Sequence, residues 1–361
     1  MRDVDVLIIG GGPAGSSCAW ALKTKHGRES LILDKTEFPR LKLCAGWITP
    51  LVVEQLELDP TTYPHRFVTF DTIHAEYFGR KGVRRVSMKT TQHSIRRTEF
   101  DNWLLQRSGA EVIHHQVREI RRDGDHFIVD DQFRANHLVG AGGTHCPVFR
   151  TFFKDINPRS KEYQIGALEE EFEYDYEDPN CHLWFGENGL VGYSWYVPKG
   201  DGWVNVGIGG WSEHITTAPI TLRDQWDFFT AKLKSMGLVR DHDFKPKGHT
   251  YYVRERAKVG QNGRAYIVGD AAGLATRDLA EGIGPAVESG LQAAASIVTG
   301  KPYRLKHMTK YSMFNRGLKT ELLERFFDRR ARLFSDRIWS RGRPAGVPTK
   351  SDREPEKVPA S

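Results

Sequence analysis

From Val4 to Ile9 the chain is apolar apart from Asp5, the pattern of a strand buried on both faces in a parallel sheet. A glycine-rich turn follows, and Ser16 to Lys25 then carries Ala19, Trp20 and Leu22 in a helical rhythm. Ser30 to Leu33 supplies a second apolar strand, so the N-terminus predicts a βαβ unit. Two later stretches repeat the strand-then-glycine arrangement and are expected in the same sheet: His137 to Gly140 running into Gly142-Gly143, and Ala265 to Val268 running into Gly269-Asp270. Between them the texture changes to aromatic and β-branched residues with turn signals at Asp123-Gly124-Asp125 and Gly200-Asp201-Gly202, which predicts antiparallel strands.

The nucleotide domain is therefore expected to be discontinuous, built from residues 1–65, 96–155 and 248–302, with 66–95 and 156–247 forming an inserted substrate domain. From Tyr303 to Trp339 the spacing of Leu318, Leu322, Phe326, Phe334 and Ile338 turns helical, giving C-terminal helices over 303–345. The Pro, Lys and Glu content beyond them predicts a disordered tail over 346–361. The fold class expected is α/β: a Rossmann-type domain with an inserted antiparallel β-sheet domain and C-terminal helices.

A length of 361 residues accommodates about two domains, and 39% hydrophobic against 27% charged residues describes a globular protein with a polar exterior. No run of about 18 apolar residues occurs, and Asp3 and Asp5 stand where a signal peptide needs a basic region, so a cytoplasmic location is expected. Cys18, Cys44, Cys146 and Cys181 form no CxxC pair and the histidines show no metal-ligand spacing, so neither a disulfide framework nor a metal is expected. From Lys301 to Arg343 there are thirteen Lys or Arg against four Asp or Glu, which leaves the remainder slightly acidic. This argues against a nucleic-acid-binding protein and leaves the basic helices as either a docking face for anionic headgroups, hence a peripheral membrane contact, or a solvated covering layer.

The first chemical motif is Gly10-Gly11-Gly12-Pro13-Ala14-Gly15, placed after a strand and opening a helix, with Asp34 ending the next strand. Gly10 permits the tight turn, Gly12 lets a pyrophosphate approach the backbone, Gly15 lets helix and strand close, and the helix N-terminus favours the phosphate charge. Asp34 is expected to accept from the adenosine ribose. At the far end, Gly269-Asp270-Ala271-Ala272-Gly273 and then Glu281-Gly282-Ile283-Gly284 suit a second close backbone approach to the same ligand, with Asp270 on ribityl hydroxyls and the backbone at Gly282 and Ile283 on the ring system.

With these two motifs and Arg97-Thr98-Glu99-Phe100-Asp101, about the first 300 residues resemble the glutathione-reductase-like FAD superfamily of aromatic hydroxylases, flavin halogenases and geranylgeranyl reductases. The resemblance implies FAD as cofactor, with Arg97 in contact with it and Ala14, Lys35, Ala45 and Val117 completing the binding set. Two features single out the geranylgeranyl reductase family. Pro39-Arg40-Leu41-Lys42-Leu43-Cys44-Ala45-Gly46 is similar to its basic stretch leading into a cysteine-glycine loop beside the flavin. Tyr193-Ser194-Trp195-Tyr196-Val197-Pro198, continued by Gly200-Asp201-Gly202 and Asn205-Val206-Gly207, resembles its aromatic YxWxFP motif, with Val197 in place of the phenylalanine.

In that family these aromatics line a polyprenyl cavity, which nominates Tyr193, Trp195 and, on the neighbouring stretch, Trp184 for an isoprenoid substrate. Saturating an isolated alkene takes a hydride, which reduced flavin gives from N5, and a proton. Cys44, expected beside the flavin and protonated as free thiols are at neutral pH, is the candidate acid, donating directly or by ordering a water. One departure bears on the electron donor. Where the superfamily has GADG, this chain reads Gly140-Ala141-Gly142-Gly143, and without that acid the donor stays open between NADPH and a ferredoxin or other reductase.

Two other activities are compatible with the same residues. A flavin-dependent monooxygenase or halogenase acting on an aromatic substrate would use a similar stretch, WxWxIP, although Tyr193 replaces its first tryptophan. A flavin-binding sensor of redox state or membrane without turnover would also retain the FAD motifs.

Overall fold

The structure is a computed structural model that describes residues 1–255, 259–310 and 312. The N-terminal unit comprises β1 (Arg2–Ile9), α1 (Pro13–His26) and β2 (Leu31–Asp34). α1 opens on proline, whose missing N–H leaves no helical bond unmade there, and ends at Gly27 with a left-handed φ of 61°. The chain continues through β3 (Trp47–Ile48), α2 (Pro50–Gln55), β4 (Val68–Thr69), β5 (Thr72–Gly79), β6 (Gly82–Lys89), β7 (His93–Ser94), α3 (Arg97–Arg107), β8 (Glu111–His114), β9 (Ile120–Asp123), β10 (His126–Val129), β11 (Phe133–Gly140) and α4 (Pro147–Phe152). It then forms β12 (Gln164–Glu173), β13 (Cys181–Phe185), β14 (Gly192–Lys199), β15 (Trp203–Trp211), α5 (Ser212–Thr217), α6 (Leu222–Ser235) and β16 (Lys247–Tyr252). β17 (Gln261–Asn262), β18 (Ala265–Ile267) and α7 (Ile283–Thr299) follow.

The first sheet has the order β17-β18-β11-β1-β2-β8, and β1 runs parallel to both β11 and β2. Val6 and Ile8 pack under α1 and α7, while Leu7 and Ile9 face the opposite layer, where Phe127, Phe149 and Phe153 lie. Burial on both faces explains why β1 reads as an apolar run rather than an alternation.

The second sheet has the order β16-β12-β15-β14-β13-β5-β6. One face buries Trp184, Tyr196, Val206 and Ile208 beneath α6, whose Trp226, Phe229 and Leu233 fall on one helical stripe. The other face carries Ile73, Ala75, Ala167, Leu183, Trp195 and Val197 and packs against Trp47, Phe70 and Leu279. The layer next to the nucleotide-binding sheet is therefore made by this second face.

Three details differ from the sequence reading. β16 begins the 248–302 stretch that was expected in the nucleotide domain, yet it pairs antiparallel with β12 as the edge strand of the second sheet. β13 and β5 run parallel, not antiparallel, because the long excursion between them returns the chain by a crossover, whereas a hairpin would have reversed it. A small sheet, β3-β7-β4, straddles the expected boundaries near residues 65 and 96. Of the C-terminal helices expected over 303–345, Leu305–His307 forms a 3-10 turn; from residue 313 onward these helices, with the 346–361 tail, lie outside the described residues.

α1 and α7 cross where neither has room for a side chain: a β-carbon on Gly290 would lie 2.3 Å from the Ala14 carbonyl oxygen. Gly290→Val is therefore expected to push the two helices apart and destabilise the fold by about 1–3 kcal/mol, measured by denaturant unfolding.

Candidate functional site

The nucleotide half of the site is backbone held in place by sterics. Gly10 has φ +112° and donates its N–H to the Leu33 carbonyl at 2.8 Å, and a β-carbon there would sit 2.4 Å from the Ala141 carbonyl oxygen. Gly15 is equally constrained, 1.9 Å from the Gly10 carbonyl oxygen by the same measure. Gly12 precedes α1 without a side-chain cap, so no side chain competes with a ligand for the first amides of the helix. Asp34 is buried at the end of β2, where Oδ2 accepts from the Gly11 N–H at 2.7 Å and Oδ1 from the Thr36 N–H at 2.9 Å. Lys35 beside it is exposed, Ala14 packs against Gly269, and Val117 lies in the core layer below the sheet.

Arg40 enters this half although the sequence reading gave it no role. Its guanidinium lies 3.2 Å from where a Gly12 β-carbon would be and 3.3 Å from Asp101 Oδ2, and it stacks over Phe38. Burial depresses its basicity and Asp101 opposes that shift, so a cation stands over the phosphate turn with one carboxylate partner. The stretch Pro39-Arg40 held the signal, but only the folded loop shows which base turns inward.

The far half is laid out in the same way. Gly269-Asp270-Ala271 makes a tight turn after β18, with the Gly269 N–H donating to Ser289 Oγ at 2.9 Å. Gly282 caps α7 without a side-chain bond, Ile283 begins the helix, and a β-carbon on Gly282 would lie 3.3 Å from Asp270 Oδ1. Glu281 accepts from the Gly284 N–H at 2.6 Å, and its burial raises the carboxyl to about 7. Asp34 and Asp270 thus mark the two ends of a groove between uncapped helix starts, an arrangement that fits a dinucleotide of the FAD type.

Cys44 is half-buried between this groove and the second sheet. Its Sγ accepts from the Gly46 N–H at 3.4 Å and lies against the Arg97 guanidinium. Gly46, with φ +68°, admits no side chain because a β-carbon would lie 2.1 Å from the Ile95 carbonyl oxygen and 2.6 Å from Lys199 Nζ. Ala45 packs beside it against the apolar face of the second sheet.

Arg97 is buried and forms a two-pronged bond with Asp101, both contacts at 2.7 Å. Burial works against its charge, yet Asp101, and then Cys44, hold its pKa above the usual arginine range. The structure therefore directs Arg97 at Asp101 and the Cys44 sulfur. Lys199 is fully buried, pairs with Glu171 and reaches the Cys44 carbonyl at 3.5 Å.

The second sheet brings Tyr193 and Trp195 to the Cys44 side. Trp195 donates its indole N–H to Asn205 Oδ1 at 2.7 Å, and its ring occupies the space left by Gly207, whose β-carbon would lie 2.1 Å from the ring. The Tyr193 hydroxyl donates to the Leu279 carbonyl, and burial pushes its pKa up. Trp184 is a correction. It lies on the opposite face, 1% exposed, against Phe229 of α6, because strand alternation turns it away while its neighbour Leu183 pairs with Trp195.

The same inward face carries Glu169, His249 and Tyr251, none of which the sequence reading nominated. Their only sequence signal is that Ala167, Glu169 and Glu171 share one phase of β12, and that phase had no known orientation before the sheet was assembled.

Among known proteins, a model of the NAD(P)-binding Rossmann-like domain matches residues 8–43. An uncharacterized protein of Methanosarcina barkeri is 31% identical over 321 residues, covering 82% of this chain and 75% of that one. The digeranylgeranylglycerophospholipid reductase 3 of Methanosphaera stadtmanae is 27% identical over 86% of this chain and 82% of its own length. The solved structure of a geranylgeranyl bacteriochlorophyll reductase-like protein from Thermoplasma acidophilum superposes with a TM-score of 0.69 at 23% identity, over 82% of this chain and 78% of that one. The chain belongs to the geranylgeranyl reductase family.

Proposed function

We propose that this protein saturates carbon–carbon double bonds of an isoprenoid lipid or side chain. The observation that carries this reading is the placement of the Cys44 loop opposite an inward sheet face that presents Tyr193 and Trp195 among apolar neighbours. A prenyl chain has only apolar surface to offer, so such a face holds it by burial, at about 25 cal/mol per Å2. The Methanosphaera relative, a digeranylgeranylglycerophospholipid reductase, supports the same substrate class.

Reduced FAD supplies a hydride from N5 when bound. Asp34, Arg40 and the amides opening α1 would hold its pyrophosphate and ribose, while Asp270, Gly282 and Ile283 would hold the other end. Tyr193 and Trp195 exclude water from the alkene, and Cys44, anchored through its sulfur and carbonyl, fixes the position of the reacting carbons. With glycine, not an acid, at position 142, the electron donor is NADPH or a ferredoxin or other reductase. The basic charge of the 301–343 segment suits anionic headgroups, and through it we place the meeting with a lipid substrate at the bilayer surface.

The test is anaerobic. Protein reduced with dithionite is mixed with geranylgeranyl lipids while the flavin band and product mass are followed. Reoxidation with a gain of two hydrogens per double bond is expected. A reduced protein that ignores every prenyl lipid, yet consumes oxygen to modify an aromatic compound, is a monooxygenase instead. Cys44→Ser should keep FAD and lose about tenfold or more in reoxidation rate, because the reacting carbons lose their anchor. Arg40→Ala should weaken FAD binding by about tenfold or more, read by titrating apoprotein with FAD, since the cation over the phosphate turn is gone.

A further inference from the structure

Glu169 is the most unusual side chain in the second sheet. It is 0% exposed, and the amide of Asn205, whose own oxygen is committed to Trp195, is the one side-chain donor close to it, short of a well-formed hydrogen bond to either carboxyl oxygen. A fully buried carboxyl with so little hydrogen bonding is costly unless it is neutral or has a use. Across the strand pair, His249 lies opposite Ala167, two positions from Glu169 on the same face, with Nδ1 3.6 Å from Glu169 Oε1. That Nδ1 is also buried and unbonded, whereas the ring as a whole keeps 19% exposure and stacks on Tyr251. Two orphaned groups of complementary chemistry thus face each other across a gap that a small side-chain movement closes.

The groups around the pair tie it to the reaction chamber. Lys199 from β14, Lys42 from the cysteine loop and Glu171 from the same strand act on Glu169; Lys42 and Arg97 act on His249. Tyr193 and Tyr251 each lie within electrostatic reach of both Glu169 and Cys44. Burial raises the Glu169 carboxyl to about 7, and burial with the Lys42 and Arg97 charges lowers His249 to about 4. Of the two groups the carboxyl is therefore the one that holds a proton, and it gives it up as pH rises through about 7.

We propose that Glu169 and His249 form the proton source for the double-bond reduction, with Glu169 as the reservoir and His249 as the group that delivers. This rests on the reductase reading above. The Glu169 O–H bond breaks as His249 Nδ1 takes the proton, the Nε2–H bond breaks as a C–H bond forms at one alkene carbon, and the hydride reaches the other carbon. The pair is left as a carboxylate beside the other neutral tautomer of His249, and one proton from water resets it. Cys44, whose sulfur accepts from Gly46, then holds the substrate and leaves the proton to the pair.

The same anaerobic reoxidation, run as a single turnover with dithionite-reduced protein and a geranylgeranyl phospholipid, is measured across pH for wild type, Glu169→Gln and His249→Gln. Wild-type rate should fall as pH rises through about 7. Each variant should retain FAD and lose about 100-fold in rate, with the double variant no slower than the worse single one. A second readout needs no turnover. Because Glu169 binds its proton more tightly folded than unfolded, the fold loses stability relative to Glu169→Gln as pH rises from 4.5 to about 7, and the difference in Tm should widen over that window. A Tm difference independent of pH, a wild-type rate flat through pH 7, or a Glu169→Gln rate equal to wild type overturns the proposal. Wild-type turnover in the last two cases leaves the reductase reading standing, whereas wild type that never reoxidises with a prenyl lipid overturns both.

Discussion

α1 and α7 pack with their backbones nearly touching, and that contact is the constraint on which this site depends. Gly290 against Ala14, Gly269 against Ala14 and Ala286, and Gly15 against Gly10 remove the side chains that would hold the elements apart. With the helices this close, the uncapped amides after Gly12 and after Gly282 belong to one groove. Each helix start alone is a weak anion site; held together, they select a ligand with charge at one end and a polar ring system at the other.

The groove is joined to the second sheet by buried charge. Asp101, fully buried, is shared by Arg97 and Arg40, and Lys199 with Glu171 reaches the cysteine loop from the other side. Desolvation makes such pairs poor sources of net stability, but losing one partner strands the other, so they define position sharply. The outcome is a Cys44 loop held by its own turn and by contacts to two separate elements, α3 through the sulfur and β14 through the backbone.

On the inward face of the second sheet, apolar residues that suit a prenyl chain surround a polar island of Glu169, His249, Asn205 and Lys199. Low dielectric there has opposite effects on acid and base: it keeps the carboxyl neutral and the imidazole uncharged. An apolar chamber and an available proton are thus two consequences of the same burial.

The dinucleotide turn was legible in the sequence because its physics is local. Gly10, Gly12, Gly15 and Asp34 are set by one strand, one turn and one helix, and the spacing alone carries the geometry. Alternation along β13 turns Trp184 away from Leu183, and because Leu183 pairs with Trp195 in the assembled sheet, Trp184 faces away from Trp195 as well. What alternation leaves open is which face meets the cofactor, and that was decided by α6 covering the side with Trp184. Arg40, Glu169 and His249 escaped for a related reason. Their meaning lies in partners distant along the chain, Gly12 and Asp101 for the first and each other for the last two, and only strand pairing and domain packing bring those partners within reach. Sequence by itself determined the cofactor turn and the family; tertiary structure alone decided where charge is buried, because burial is a property of the assembled layers.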